Sequence, residues 1–167
     1  MLTEEQATIR EMARDFAARE IRPHAEEWER AGGFPRAVIG QLAELGFLGM
    51  LIPEEFDGLG LDEASYLIAL EQIAWGDASV AVAMSVHNSL PTQMLLAHGS
   101  DEQKERWLKP LARGEILGAF ALSEADSGSD AASIIAQAKQ VDGGWQLNGT
   151  KAWITNGGFA DVVIVMC

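Results

Sequence analysis

Residues 100–123, SDEQKERWLKPLARGEILGAFALS, hold the point where one kind of chain gives way to another. Ser100 is a good N-cap, and Trp107, Leu108 and Leu111 recur behind it at helical spacing. The helical pattern stops at Gly114. From Gly118 the run AFALS alternates weakly, and the segments beyond it read as strands. Helices are therefore expected before Gly114–Gly118 and an antiparallel sheet after it.

Upstream, Thr3 and Gln6 offer a capping box. Ile9, Met12, Ala13, Phe16, Ala17 and Ile21 then recur as one helical face. Pro23 is expected to kink this helix or begin a second, which Gly32-Gly33 ends. Pro35 opens a helix with Val38, Ile39, Leu42 and Leu45 on one side, stopped by Gly46. Residues 51–60, LIPEEFDGLG, carry too much Pro and Gly for anything but a loop. Asp62 N-caps a helix through Leu67, Leu70, Ile73 and Ala74, and Gly76-Asp77 breaks it. Residues 78–97 carry no charged side chain except the histidine, so that helix is expected to be buried on most sides. Downstream, residues 134–141 and 145–154 are strand-like, with a hairpin signal at Asp142-Gly143-Gly144. Residues 162–166 form a further β-branched strand. The fold class is α+β: an all-α N-terminal domain, residues 1–116, then an incomplete antiparallel β domain, residues 117–167. A sheet ending at Cys167 would leave an apolar edge unpaired, so the chain is expected to be a fragment of something larger.

Composition narrows the function. The net charge of −13 argues against non-specific nucleic-acid binding and against an anionic membrane surface. Its plainest meaning is solubility. With 48% hydrophobic and 22% charged residues the composition is globular. The single cysteine, Cys167, excludes an intrachain disulfide and offers no metal-site spacing, which fits a reducing, cytoplasmic location. The N-terminus has no uninterrupted apolar h-region, and no apolar stretch approaches the ~18 residues of a membrane span.

Two segments carry chemistry: Phe120–Ser133, FALSEADSGSDAAS, and Asn148–Gly158, NGTKAWITNGG. In the first, Gly128 permits a left-handed turn in which successive backbone N–H groups form an anion nest, with the Ser129 hydroxyl as a further donor. Neither a P-loop nor G-x-G-x-x-G is present. In the second, Trp153 reads as part of a wet strand end, where an indole can stack on a ligand ring while Thr155 bonds its heteroatoms. Either segment alone is more often structural. His24, His87 and His98 have no metal-ligand spacing and read as structural or solvent-facing. Glu124 reads as a hydrogen-bonding structural carboxylate.

Together, in this order, the two segments resemble the acyl-CoA dehydrogenase family. Ala121, Leu122, Ser123, Glu124, Gly128, Ser129 and Asp130 are similar to its signature. Gly149, Lys151, Trp153, Ile154, Thr155 and Asn156 are similar to its Gly-x-Lys-x-Trp-Ile-Thr-Asn segment. LGMLIPEEFDGLG, SVHNSL and HGSDEQKERWLKPLARGE extend the likeness over nearly the whole chain. The resemblance implies FAD as cofactor, with Phe120, Leu122, Ser123, Gly128, Ser129, Trp153, Ile154 and Thr155 in its site. Leu122 and Ser123 would bond the flavin's pyrimidine edge, Gly128 and Ser129 the pyrophosphate, Trp153 the isoalloxazine face, and Thr155 the region of N5. Ser129, Val86, His87 and Leu90 would face an acyl-CoA substrate. It further implies an electron-transfer flavoprotein as partner and a homo-tetramer for the full-length protein. The family's catalytic Glu lies in a C-terminal helical bundle, so no catalytic residue is assigned in this chain, and no metal. The family often has Pro-Gly where this chain has Ala125-Asp126, so a turn of different shape is expected. A flavin oxidase or monooxygenase on the same scaffold, and a truncated non-catalytic product, are the alternatives.

Overall fold

The computed structural model describes residues 1–33 and 35–167. Helix α1 (Glu4–Phe16) begins at Thr3, whose hydroxyl accepts from the Gln6 N–H at 3.1 Å while Gln6 Oε1 accepts from the Thr3 N–H at 3.2 Å. It continues through a π turn, Ala17–Ile21, and stops before Pro23. Helix α2 (Ala25–Ala31) is closed by Gly32. Helix α3 (Arg36–Glu44) buries Val38, Ile39 and Leu42. After a loop holding one 3₁₀ turn, Glu54–Phe56, come α4 (Glu63–Gly76), α5 (Ala78–Ser89) and α6 (Pro91–His98). A last helical run comprises α7 (Asp101–Gln103), a π turn over Lys104–Leu108, and α8 (Lys109–Ala112). Ser100 caps it with a second capping box, through Gln103.

Several helical expectations need correction. Residues 78–97 are two helices, because Pro91 has no N–H to donate and so takes the first-turn position of α6. They are also less completely buried than their composition suggests, with Val82 49% exposed. On α4 the buried face is Ser65, Tyr66, Ala69, Gln72 and Ile73, whereas Leu67 is exposed. Met12 on α1 is exposed as well.

Helix α1 packs on α4, and α4 on α5. Their shared core includes Ile9, Phe16, Leu42, Phe47, Ile73 and Met84. Each such side chain taken from water contributes about 1.5–3 kcal/mol. A second cluster of Ile52, Leu95, Leu108 and Leu111 lies beside it. Gly114, with φ 67, closes the helical unit so near Ala43 that any Cβ would overlap it.

Four strands follow: β1 (Gly118–Ala121), β2 (Gln137–Val141), β3 (Gly144–Asn148) and β4 (Val162–Val165). Strands β2 and β3 form the expected antiparallel hairpin. Strands β1 and β4 instead pair in parallel, Gly118 opposite Val162. The hairpin and the second motif segment lie between them in sequence, long enough for the crossover that a parallel pair requires. Ile164 of β4 packs on the second helical cluster and so joins sheet to helices. The strand expected over residues 145–154 stops at Asn148. Among the described residues no helix is long and apolar enough to cross a membrane.

Candidate functional site

Strand β1 leads directly into Leu122 and Ser123, both half-buried. The chain then turns tightly. The Glu124 N–H donates to the Ser127 carbonyl at 2.7 Å, and the Ser127 N–H donates back to Glu124 at 3.3 Å. The central residues Ala125 and Asp126 both keep negative φ, so this turn needs no glycine, and both side chains are exposed.

The second segment runs alongside the first. The Ala152 N–H donates to the Ser123 carbonyl at 2.9 Å, and Lys151 Nζ donates to the Leu122 carbonyl at 2.8 Å. Lys151 Nζ also pairs with the Glu124 carboxylate at 2.7 Å. That carboxylate accepts in addition from Ile135 N at 2.8 Å and Ala136 N at 2.9 Å. The Ile135 N–H, then the Lys151 ammonium and the Ala136 N–H, hold the Glu124 pKa down at about 2. Glu124 is thus the structural carboxylate expected, and it ties together β1, the start of the hairpin and the Trp153 segment.

Immediately after this clamp, Trp153 is 95% exposed and adopts φ 61, a left-handed conformation uncommon for a bulky residue. The expectation that it lies on a strand is therefore wrong: β3 has already ended at Asn148, and the left-handed Gly149 follows it directly. Gly128 also departs from expectation: its φ is not left-handed, and a Cβ built there would meet nothing. The loop instead gets its shape from the Glu124–Ser127 turn and from Ser127 Oγ, which donates to the Asp130 carbonyl at 2.6 Å. Phe120, Ile154 and Thr155 are half-buried, while Ser129 is exposed. The hydroxyls of Ser123, Ser129 and Thr155 make no hydrogen bond to the described residues. The two segments thus present an unpartnered indole, three free hydroxyls and open space over a glycine. This donor set fits a flat heteroaromatic ring with a polar edge and an anionic tail.

Thr155 and Asn156 also face the first turns of α5 across a cleft of about 390 Å³ lined by Ala78, Ser79, Val82 and Ala83. Val86, further along α5, and Leu90, just past its end, were named from the sequence and are half-buried. His87 is fully buried and committed elsewhere. Its Nδ1 accepts from the Gly118 N–H at 3.1 Å and its Nε2 donates to the Leu111 carbonyl at 2.9 Å, the tautomer being set by these partners. Burial lowers its pKa to about 4, and neither ring nitrogen is left for a ligand. Among the described residues no group of three His, Cys, Asp or Glu side chains is placed to hold a metal.

The sequence reading gave no role to Lys151, Asn156, Val82 or Ala83. Lys151 had a signal: past Gly118 the only cations are Lys139 and Lys151, so a buried carboxylate there has few partners to choose from. Val82 lies one helical turn before Val86 and shares its face. Asn156 stood in the second motif by type, but nothing announced its role, because its partners are backbone atoms distant in sequence.

Two family models match this chain: acyl-CoA dehydrogenase, N-terminal domain, over residues 3–115, and acyl-CoA dehydrogenase, middle domain, over residues 119–167. An acyl-CoA dehydrogenase of Bacillus subtilis (strain 168) is 44% identical over 163 residues, covering 98% of this chain and 43% of that protein. The mitochondrial short-chain specific acyl-CoA dehydrogenase of Rattus norvegicus is 44% identical over 164 residues, covering 98% and 40%. A solved glutaryl-CoA dehydrogenase from Mycobacterium smegmatis, in complex with FADH2, superposes with a TM-score of 0.93 at 35% identity, covering 98% of this chain and 42% of that one. The chain spans about two fifths of the length of these relatives.

Proposed function

The chain belongs to the acyl-CoA dehydrogenase family, and on that premise we propose that the whole protein is an FAD-dependent enzyme that oxidises an acyl-CoA thioester to the trans-2-enoyl-CoA. FAD would supply the two-electron acceptor, with an electron-transfer flavoprotein as the onward partner. Residues 1–116 contribute the substrate-facing wall on α5. Residues 117–167 contribute the flavin-facing segments. Leu122 and Ser123 bond the ring's pyrimidine edge. Gly128 and Ser129 take the pyrophosphate, where a bare glycine lets an anion approach the backbone. Trp153 stacks on the ring system, flanked by Ile154, and Thr155 places its hydroxyl near N5. Val86 and Leu90 extend the apolar wall that Val82 and Ala83 begin.

Abstraction of the substrate's α-proton needs a carboxylate with a pKa suited to taking it. Glu124 does not qualify: three donors hold it as an anion, and its oxygens point into those contacts. Glu124 is therefore assigned no catalytic role and, following the family resemblance, the base is sought outside this chain.

The observation that carries the reading is the pairing of the two motif segments through Lys151 and Glu124, which leaves the Trp153 ring fully presented beside free hydroxyls. In the full-length protein, Trp153→Ala is expected to raise the FAD Kd about fivefold, the ~1 kcal/mol of one aromatic stacking contact. Titration of flavin fluorescence measures it, and an unchanged Kd would remove Trp153 from the site.

A further inference from the structure

Asn156 follows Thr155 directly, is 6% exposed, and adopts φ 65. Its Nδ2 donates to the Ala83 carbonyl on α5 at 3.1 Å and to the Gly118 carbonyl at the start of β1 at 3.2 Å. Its own carbonyl accepts from Phe159 N at 2.9 Å and Ala160 N at 2.8 Å, closing the turn behind it. One amide therefore spans three elements: the helix that walls the cleft, the strand that carries the first motif, and the turn that delivers Thr155 and Trp153. The left-handed φ alone does not account for asparagine here, because glycine meets that φ with less strain. What glycine cannot supply is the pair of N–H donors.

We propose that Asn156 is a positioning residue, which fixes the flavin-facing turn relative to α5 so that cofactor face and substrate wall keep one spacing. This rests on the flavin reading above. Its test uses the full-length protein, with FAD Kd from flavin fluorescence and steady-state kinetics on an acyl-CoA. Asn156→Gly keeps the φ and removes both donors. It is expected to stay folded, to bind FAD about tenfold more weakly, and to raise KM by a larger factor than it lowers kcat. Asn156→Asp keeps the shape but turns a carboxylate toward two carbonyls, and is expected to be worse than Asn156→Gly on each measure. Three results overturn the proposal: an Asn156→Gly Kd within twofold of wild type, an Asn156→Asp variant no worse than Asn156→Gly, or an Asn156→Gly chain that does not fold, which would make the amide a determinant of the fold. Failure of the wild-type protein to take up FAD would instead strike the flavin reading beneath it, and is seen before any variant is made.

Discussion

Trp153, His87 and Glu124 show how single residues divide the work. Left-handed backbone costs a non-glycine residue roughly 1–2 kcal/mol, and Trp153 bears that cost while its ring touches little of the protein. Strain of this kind persists where the surrounding structure over-determines it, as the Lys151–Glu124 clamp does here. His87 does the opposite: its entire polar capacity goes to joining α8 and β1. Its folded pKa is lowered from 6.5 to about 4, so between those values the unfolded chain binds more protons and stability rises with pH. That stabilisation is complete above 6.5 and is lost as pH falls toward 4, about 3 kcal/mol in all. Glu124 has the same sign in a lower window, its contribution present above 4.5 and lost toward about 2. Urea midpoints taken from pH 7 to pH 4 should fall in wild type and fall less in His87→Gln. Parallel slopes in the two proteins would show that His87 is not the titrating group.

Among the elements, the α4–α5 corner is the most economical. Asp77 ends α4 through its backbone N–H, which donates to the Ile73 carbonyl, and starts α5 through its carboxylate, which accepts from Val80 N at 2.8 Å. Asp77→Ala should remove the second function alone and cost about 1 kcal/mol, read as a lower thermal midpoint. The break at Gly76-Asp77 was legible in the sequence, as were the caps at Thr3, Asp62 and Ser100, because each depends on residues three or four apart. Pro91 could have been read as the start of α6. The parallel pairing of β1 with β4 could not, since it depends on where a distant segment returns. Nor could the turn at Trp153, which has no glycine to announce a positive φ. The motif residues of the candidate site were legible by type, but the contacts that hold them were not. Lys151 and Asn156 act on carbonyls of Leu122, Ala83 and Gly118, and backbone acceptors carry no sequence signature.

Across the whole molecule, helices and sheet share material at more than one point. Ile164 of β4 packs on the cluster around Leu111, and Asp161 accepts from the Leu117 N–H at 2.8 Å while Arg36 on α3 donates to the Phe159 carbonyl at 2.8 Å. Leu111→Ala removes a fully buried side chain from this junction and should cost about 2–5 kcal/mol. Far-UV and tryptophan signals should lose that stability together in one transition, and separate transitions would mean that the two parts unfold independently. The corner at Asp77 and the join at Leu90 have a consequence of their own. From Asp62 to His98 three helices succeed one another with single residues between them, so this stretch has no slack in which to hide an insertion. One added residue in α5 ahead of His87 would turn everything beyond it by about 100° and carry His87 off its two partners. The cleft wall is thus fixed in length, whatever its side chains.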